Sequence, residues 1–178
     1  MEELLSALSL EGQSDIETNI GDSKNAIREK VWSTLEAGKL IRKYPPSCHG
    51  KIPNFVDSHK AAKKVAKLRE FRRAKVIKVN PSLAQMNLRL EILKARKTLV
   101  VPSPALSVYD EKLQNEDQPH FCYKINGRKL SHEEKKKAMT KRGAFQYGKP
   151  MLTDWSSCPH IDIVVVGAVA VTISGKLS

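Results

Sequence analysis

Lys24 and Arg28 stand four residues apart in a stretch of helical periodicity, so both side chains project from one helix face. Two fixed cations at that spacing can hold a triphosphate through charge-assisted hydrogen bonds, and the same pair can equally be a solvated helix face. A second basic group, Lys135, Lys136, Lys137, Lys141 and Arg142, can grip phosphates without reading a base sequence. Phe145 and Tyr147 follow it and offer rings on which bases stack. The bland reading of both groups is a soluble, lysine-rich surface with no partner. Hydrolytic signatures are missing: there is no Gly-x-Ser-x-Gly elbow, no His-Glu-x-x-His and no complete phosphate loop. Cys48, Cys122 and Cys158 each have a histidine within two residues, but no Cys-x-x-Cys or His-x-x-x-His spacing supports a metal site.

The elements that must position these groups alternate between helix and strand. Ser23 caps a helix expected over Lys24 to Leu40, with Ile27, Val31 and Leu35 inward. Residues 41–57 read as a loop broken by Tyr44-Pro-Pro. Ser58 caps a helix expected to reach Arg69, with Ala61, Ala62, Val65 and Ala66 inward. Ala74 to Val79 is a strand, Met86 to Ala95 a helix with Leu90 and Leu93 inward, and Lys97 to Val101 a second strand. That unit implies a parallel strand pair. Phe121 to Ile125 is a further strand before the Asn126-Gly127 turn. One helix is expected from Ser131 to Gly143. The β-branched run Ile161 to Val166 reads as a strand buried on both faces.

This pattern is an α/β fold, a Rossmann-like, mostly parallel sheet flanked by helices. In open sheets of that kind ligands bind at the carboxyl ends of the strands. Asn80, Ser82, Pro102, Ser103 and Gly167 occupy those ends and are the candidate pocket-lining residues.

With 178 residues and 40% hydrophobic content, the chain can build one ordinary core. The net charge is +12, unevenly placed. Residues 1–22 hold six acidic residues and no Lys or Arg and are expected to form an acidic flexible tail. The remainder carries net +18, a surface that attracts polyanions such as nucleotides or RNA. The three sparse cysteines suit a reducing, cytoplasmic setting, no apolar stretch is long enough for a membrane span, and a monomer is expected.

Several segments together resemble the 5-formyltetrahydrofolate cyclo-ligase family. Ser23-Lys-Asn-Ala-Ile-Arg-Glu-Lys-Val-Trp32 is similar to its opening helix. Lys51-Ile-Pro-Asn-Phe55, Lys97-Thr-Leu-Val-Val-Pro-Ser-Pro104 and Ile161-Asp-Ile-Val-Val-Val-Gly-Ala-Val-Ala-Val171 are similar to a branch of it, the methenyltetrahydrofolate synthetase domain-containing proteins. The resemblance covers about residues 23–175 and makes 23–178 one cyclo-ligase-like domain. It implies a reduced folate as ligand, with ATP and Mg²⁺ activating the formyl oxygen before N10 closes the ring. It implies that Lys24 and Arg28 correspond to the family's ATP-contacting lysine and arginine.

Three departures qualify that expectation. Where the family has a folate-contacting glutamate after the first strand, Asn80-Pro-Ser-Leu-Ala-Gln85 has no carboxylate. Of the family's Pro-Gly-x-x-Phe-Asp, Val166-Gly-Ala-Val-Ala-Val-Thr172 keeps only the glycine. The chain ends Ser174-Gly-Lys-Leu-Ser178, before the family's Arg-Leu-Gly-Arg-Gly-Lys-Gly-Tyr-Tyr-Asp type loop. The sheet is therefore expected to be truncated at its C-terminus, and this form is expected to be cyclo-ligase-like without turnover. Two alternatives stand beside that: an RNA-binding protein using its basic surface, or an active ATP-dependent cyclo-ligase if the chain is a fragment of a longer product.

Overall fold

The computed structural model describes residues 24–43, 46–102, 122–151, 158–174 and 176. The acidic tail, Ser23, Ser103, Pro104 and Phe121 lie outside the described residues.

Three β-branched stretches build the parallel part of a five-stranded sheet. β1 (Val76–Val79) lies between β2 (Thr98–Pro102) and β5 (Ile163–Val165), parallel to both. β3 (Cys122–Asn126) runs antiparallel to β2, and β4 (Lys149–Met151) antiparallel to β3. The order is β4-β3-β2-β1-β5, and four strands share one direction. The mixed α/β sheet with a parallel centre is thus the expected one, with β4 a strand the sequence did not announce.

Because side chains alternate across a strand, the register sorts the two faces. Ile77, Val79, Leu99, Val101 and Ile125 share one face, are almost fully buried, and meet the helices. Each such side chain contributes roughly 1.5–3 kcal/mol of hydrophobic stabilisation. Val76, Lys78, Thr98, Lys124 and Lys149 share the other face.

The helices depart from expectation in instructive ways. α1 spans Lys24–Ala37 and stops short of Leu40. Lys39 takes a left-handed φ of 53°, and the Lys39 and Leu40 N–H groups donate to Glu36 and Leu35 carbonyls, a Schellman cap one residue past Gly38. α2 is Ser58–Lys67; Leu68 is extended, and α3 (Arg69–Arg73) restarts the chain in a new direction. Ser58 is the first helical residue rather than the cap, and its buried hydroxyl accepts from Asn87.

α4 is Met86–Lys94, and its buried residues are Leu88, Arg89, Ile92 and Leu93, with Leu90 only half-buried. The helix expected over 131–143 is two helices. α5 (His132–Ala138) opens with a reciprocal Ser131/Glu134 capping box, and α6 (Lys141–Tyr147) is capped by the Thr140 hydroxyl. Gly143 lies inside α6 rather than ending a helix: a Cβ there would stand 1.9 Å from the Lys137 carbonyl oxygen, so only glycine lets α6 fold back on α5.

β5 also corrects the sequence reading. Instead of being buried on both faces it sits at one side of the sheet, with Val164 54% exposed and Val166 48% exposed. Asp162 anchors its start: one carboxylate oxygen accepts the N–H groups of Lys75 and Val76 at 2.7 and 2.8 Å. These bonds stabilise the charged form and hold the Asp162 carboxyl below its ordinary value.

Candidate functional site

A cavity of about 460 Å³ opens where the chain leaves β1 and β5. Its walls come from four places. α1 supplies Val31 and Leu35, α2 supplies Ala61 and Val65, the segment after β1 supplies Ala84 and Gln85, and the segment after β5 supplies Gly167 and Ala168. Ile52 and Pro53 close one side.

The walls are held by specific bonds. The Trp32 indole N–H donates to the Lys51 carbonyl at 2.9 Å, which fixes the residue before Ile52. The Glu36 carboxylate accepts from the Ser47 hydroxyl and the Cys48 N–H, each at 2.8 Å. Those bonds, the Cys48 N–H first, hold Glu36 below the ordinary carboxylate range. His49 completes the tie: its Nδ1 lies 2.9 Å from Glu29, and its ring sits 5.5 Å from that of Trp32. Cys48 is buried under this arrangement, and burial raises its thiol pKa, so it is a packing residue rather than a nucleophile. The three cysteines are free thiols.

The far side is organised by Arg89, which is 1% exposed. Its Nε donates to the Met139 carbonyl at 2.7 Å, and Nη1 donates to the Asn80 and Ser82 carbonyls at 2.7 and 3.0 Å. Burial lowers its pKa to about 10. One guanidinium therefore fixes the turn after β1 to the joint between α5 and α6. It is the main organising residue the sequence reading missed, because an arginine in a short amphipathic helix carries no signal that it points inward. Ser82 donates to Gln85 Oε1 at 2.9 Å, which sets that amide in the cavity wall.

Gly167, expected at the pocket, lines the cavity, and a Cβ there would stand 2.9 Å from Ile52 Cγ2. Asn80 and Ser82 are one layer behind, their carbonyls turned to Arg89, and Ala84 and Gln85 take the wall positions. Pro102 pairs with Cys122 at the end of β2 and is not in the wall. Ser103 is outside the described residues.

Lys24 and Arg28 are not in the wall either. They lie on the same helical stripe as Val31 and Leu35, at positions i, i+4, i+7 and i+11, so they extend the cavity's α1 side by about two turns. Arg28 donates to the Asn25 side chain at 2.8 Å.

The second basic group divides between two helices: Lys135, Lys136 and Lys137 on α5, Lys141 and Arg142 at the start of α6. Lys136 pairs with Glu133 at 2.9 Å. The Phe145 ring packs 4.9 Å from that of Tyr123, and Tyr147 packs partly against the core.

Among the described residues, no wall residue of the cavity is ionisable; Ser58 and Gln85 are its polar side chains. The arrangement suits a largely apolar ligand oriented by a few hydrogen bonds. Among the described residues no group of three or more His, Cys, Asp or Glu is placed to hold a metal ion, and no helix is long and apolar enough to cross a membrane.

Residues 20–176 match the 5-formyltetrahydrofolate cyclo-ligase family. The chain is similar to the methenyltetrahydrofolate synthase domain-containing protein of Bos taurus, 35% identical over 160 residues, 90% of this chain and 39% of that protein. It is also similar to the proteins of that description from Danio rerio (34%, covering 90% of this chain and 38% of that protein) and Homo sapiens (33%, covering 88% and 37%). The chain thus spans about two fifths of the length of these relatives. No solved structure matches.

Proposed function

The chain belongs to the 5-formyltetrahydrofolate cyclo-ligase family, and from that premise we propose that it is a cyclo-ligase-like protein that binds a reduced folate without turning it over. The observation that carries this reading is the cavity wall: large enough for a flat heterocycle, and bare of any ionisable side chain among the described residues. The ring system would lie among Val31, Leu35, Ile52 and Val65, with the Gln85 amide and the Ser58 hydroxyl near its polar edge. Lys24 and Arg28 would carry nucleotide phosphates on the extended α1 stripe, and Mg²⁺ would arrive with the nucleotide. When bound, ATP supplies the activating phosphoryl group. The chain's own part would be to hold the folate and keep water from it. The absence of a carboxylate in Asn80-Pro-Ser-Leu-Ala-Gln85 supports binding over catalysis, because nothing there would orient a folate ring nitrogen by charge. A cytoplasmic location and a monomeric state belong to the same reading.

The test follows methenyl product by absorbance with 5-formyltetrahydrofolate, ATP and Mg²⁺, beside calorimetric titration of the folate alone. The expected result is measurable folate binding with no product above the uncatalysed background. Product formation proportional to protein would replace this reading with that of an active cyclo-ligase. Absence of folate binding would remove the folate assignment altogether.

A further inference from the structure

The opposite end of the sheet is built from cations. Arg72, Arg73 and Lys75 lead into β1, and Arg96 and Lys97 lead into β2. β3 runs the other way, so Arg128, just past its last residue, arrives at the same end. These six line one recess of about 460 Å³. Thr98 and Asn126 belong to it and also to a second recess of about 390 Å³, with Lys124, Lys129, Lys149 and, from the end of α6, Tyr147. The two recesses therefore adjoin. Among the described residues, no carboxylate lines either. Asp162, beside Lys75, is committed to the backbone N–H groups of Lys75 and Val76.

The backbone gathers these charges actively. Thr98 N–H donates to the Lys75 carbonyl at 2.9 Å, and Gly127 N–H donates to the Lys97 carbonyl at 3.0 Å. A Cβ at Gly127 would stand 2.8 Å from the Leu93 and Lys97 carbonyl oxygens, so glycine is what brings Arg128 against Arg96 and Lys97. Lys97 is itself a tether: its ammonium donates to the Arg72 and Ala74 carbonyls at 3.1 and 2.5 Å and lies over the Phe71 ring.

Two features are unfavourable for the fold taken alone. Arg96 holds a left-handed φ of 57° at the cap of α4, a position that favours glycine. Lys124 and Lys149 are register partners on β3 and β4, so two like charges start about 5 Å apart on one sheet face. An anion lying across the recesses offsets the like-charge cost. The cations are spread over two adjoining recesses, which suits several linked phosphates better than one, and the partly exposed Tyr147 ring in the wall offers a surface beside them. We propose that this end of the sheet binds a single-stranded polynucleotide through its phosphates. The site is separate from the α5–α6 lysines and does not depend on the folate reading.

The test uses fluorescence anisotropy of a labelled, mixed-sequence single-stranded RNA of about 15 nucleotides with the full chain, from 50 to 300 mM salt. The site variant combines Arg73→Gln, Lys124→Gln, Arg128→Gln and Lys149→Gln. A charge-matched control combines Lys60→Ala, Lys63→Ala, Lys64→Ala and Lys67→Ala on α2. Neutralising four phosphate-binding cations should weaken binding at least tenfold at 50 mM salt and flatten the log–log salt slope by about 2 to 3, at roughly 0.7 per phosphate. The control should stay within about threefold, and Tyr147→Leu should weaken binding about fivefold. If the four-site variant does not fold, the exposed pair Arg73→Gln and Arg128→Gln carries the test. Equal losses in site and control variants, or no binding at 50 mM salt, would overturn the proposal. So would polyglutamate or inorganic polyphosphate competing as well as RNA while Tyr147→Leu has no effect.

Discussion

Among the described residues, the chain walls a cavity of about 460 Å³ with mostly apolar side chains and no ionisable group where it leaves β1 and β5; at the other end, where it enters β1 and β2 and leaves β3, it walls a recess of the same size with six cations and no carboxylate. The first is held by hydrogen bonds running behind its walls, from Arg89, Trp32 and Glu36 to backbone groups. The second is held by backbone contacts that press like charges together. Apolar walls around an open cavity gain stability when a ligand of the same character covers them. Clustered cations raise the energy of the fold, and an anionic partner would offset that cost. On the two proposals made above, the same sheet separates a small-molecule end from a polyanion end.

The largest expected effect lies at the cavity end. Arg89→Leu leaves the Asn80, Ser82 and Met139 carbonyls without their donor and is expected to cost about 3 kcal/mol in urea unfolding. The refolded variant should lose folate affinity while RNA affinity stays within twofold. A cost below about 1 kcal/mol would mean that Arg89 does not organise that end.

The acid limb of the stability curve sharpens the comparison next. Asp162 ties β5 to the start of β1, and its folded pKa lies below the unfolded value of about 3.9. Its contribution is therefore complete above that unfolded value and disappears as the pH falls through the lower, folded one. Asp162→Asn should lower the melting temperature at pH 7 and narrow the gap to wild type as the pH drops below 4. A gap that is constant with pH would show that the carboxylate charge does no work there.

The smallest effects run in the opposite direction. Arg96→Gly removes a left-handed arginine and should stabilise the fold by about 1 kcal/mol while weakening RNA binding. Lys149→Thr, by removing a like charge opposite Lys124, should stabilise it by a few tenths of a kcal/mol with the same loss of binding. Destabilisation by both would contradict the view that these cations are kept for a partner.

The sequence made the parallel centre of the sheet legible because β-branched runs such as Val76-Ile-Lys-Val79 and Thr98-Leu-Val-Val101 leave few alternatives. It also pointed to Gly167, which stands in the cavity wall, since a strand that ends on glycine allows close approach. It read β5 as buried on both faces because an apolar run reads the same in the centre and at the side of a sheet, whereas β5 lies at the side. It merged α5 and α6 because Gly143 serves a close helix contact that only the folded chain creates. Arg89 and the cation recess were hidden for one reason: each gathers groups far apart in the chain, residues 80 to 139 around Arg89 and 72 to 128 in the recess, and periodicity reports only neighbours.

One measurement tests the separation of the two ends directly. Affinities for 5-formyltetrahydrofolate and for single-stranded RNA are determined on wild type, on Gly167→Val, whose side chain would fill the space against Ile52, and on the four-glutamine variant of the recess. The account predicts reciprocal losses: Gly167→Val binds folate at least tenfold more weakly with RNA binding intact, and the recess variant does the reverse. Both ligands lost together in either variant would show that they share one site and contradict it.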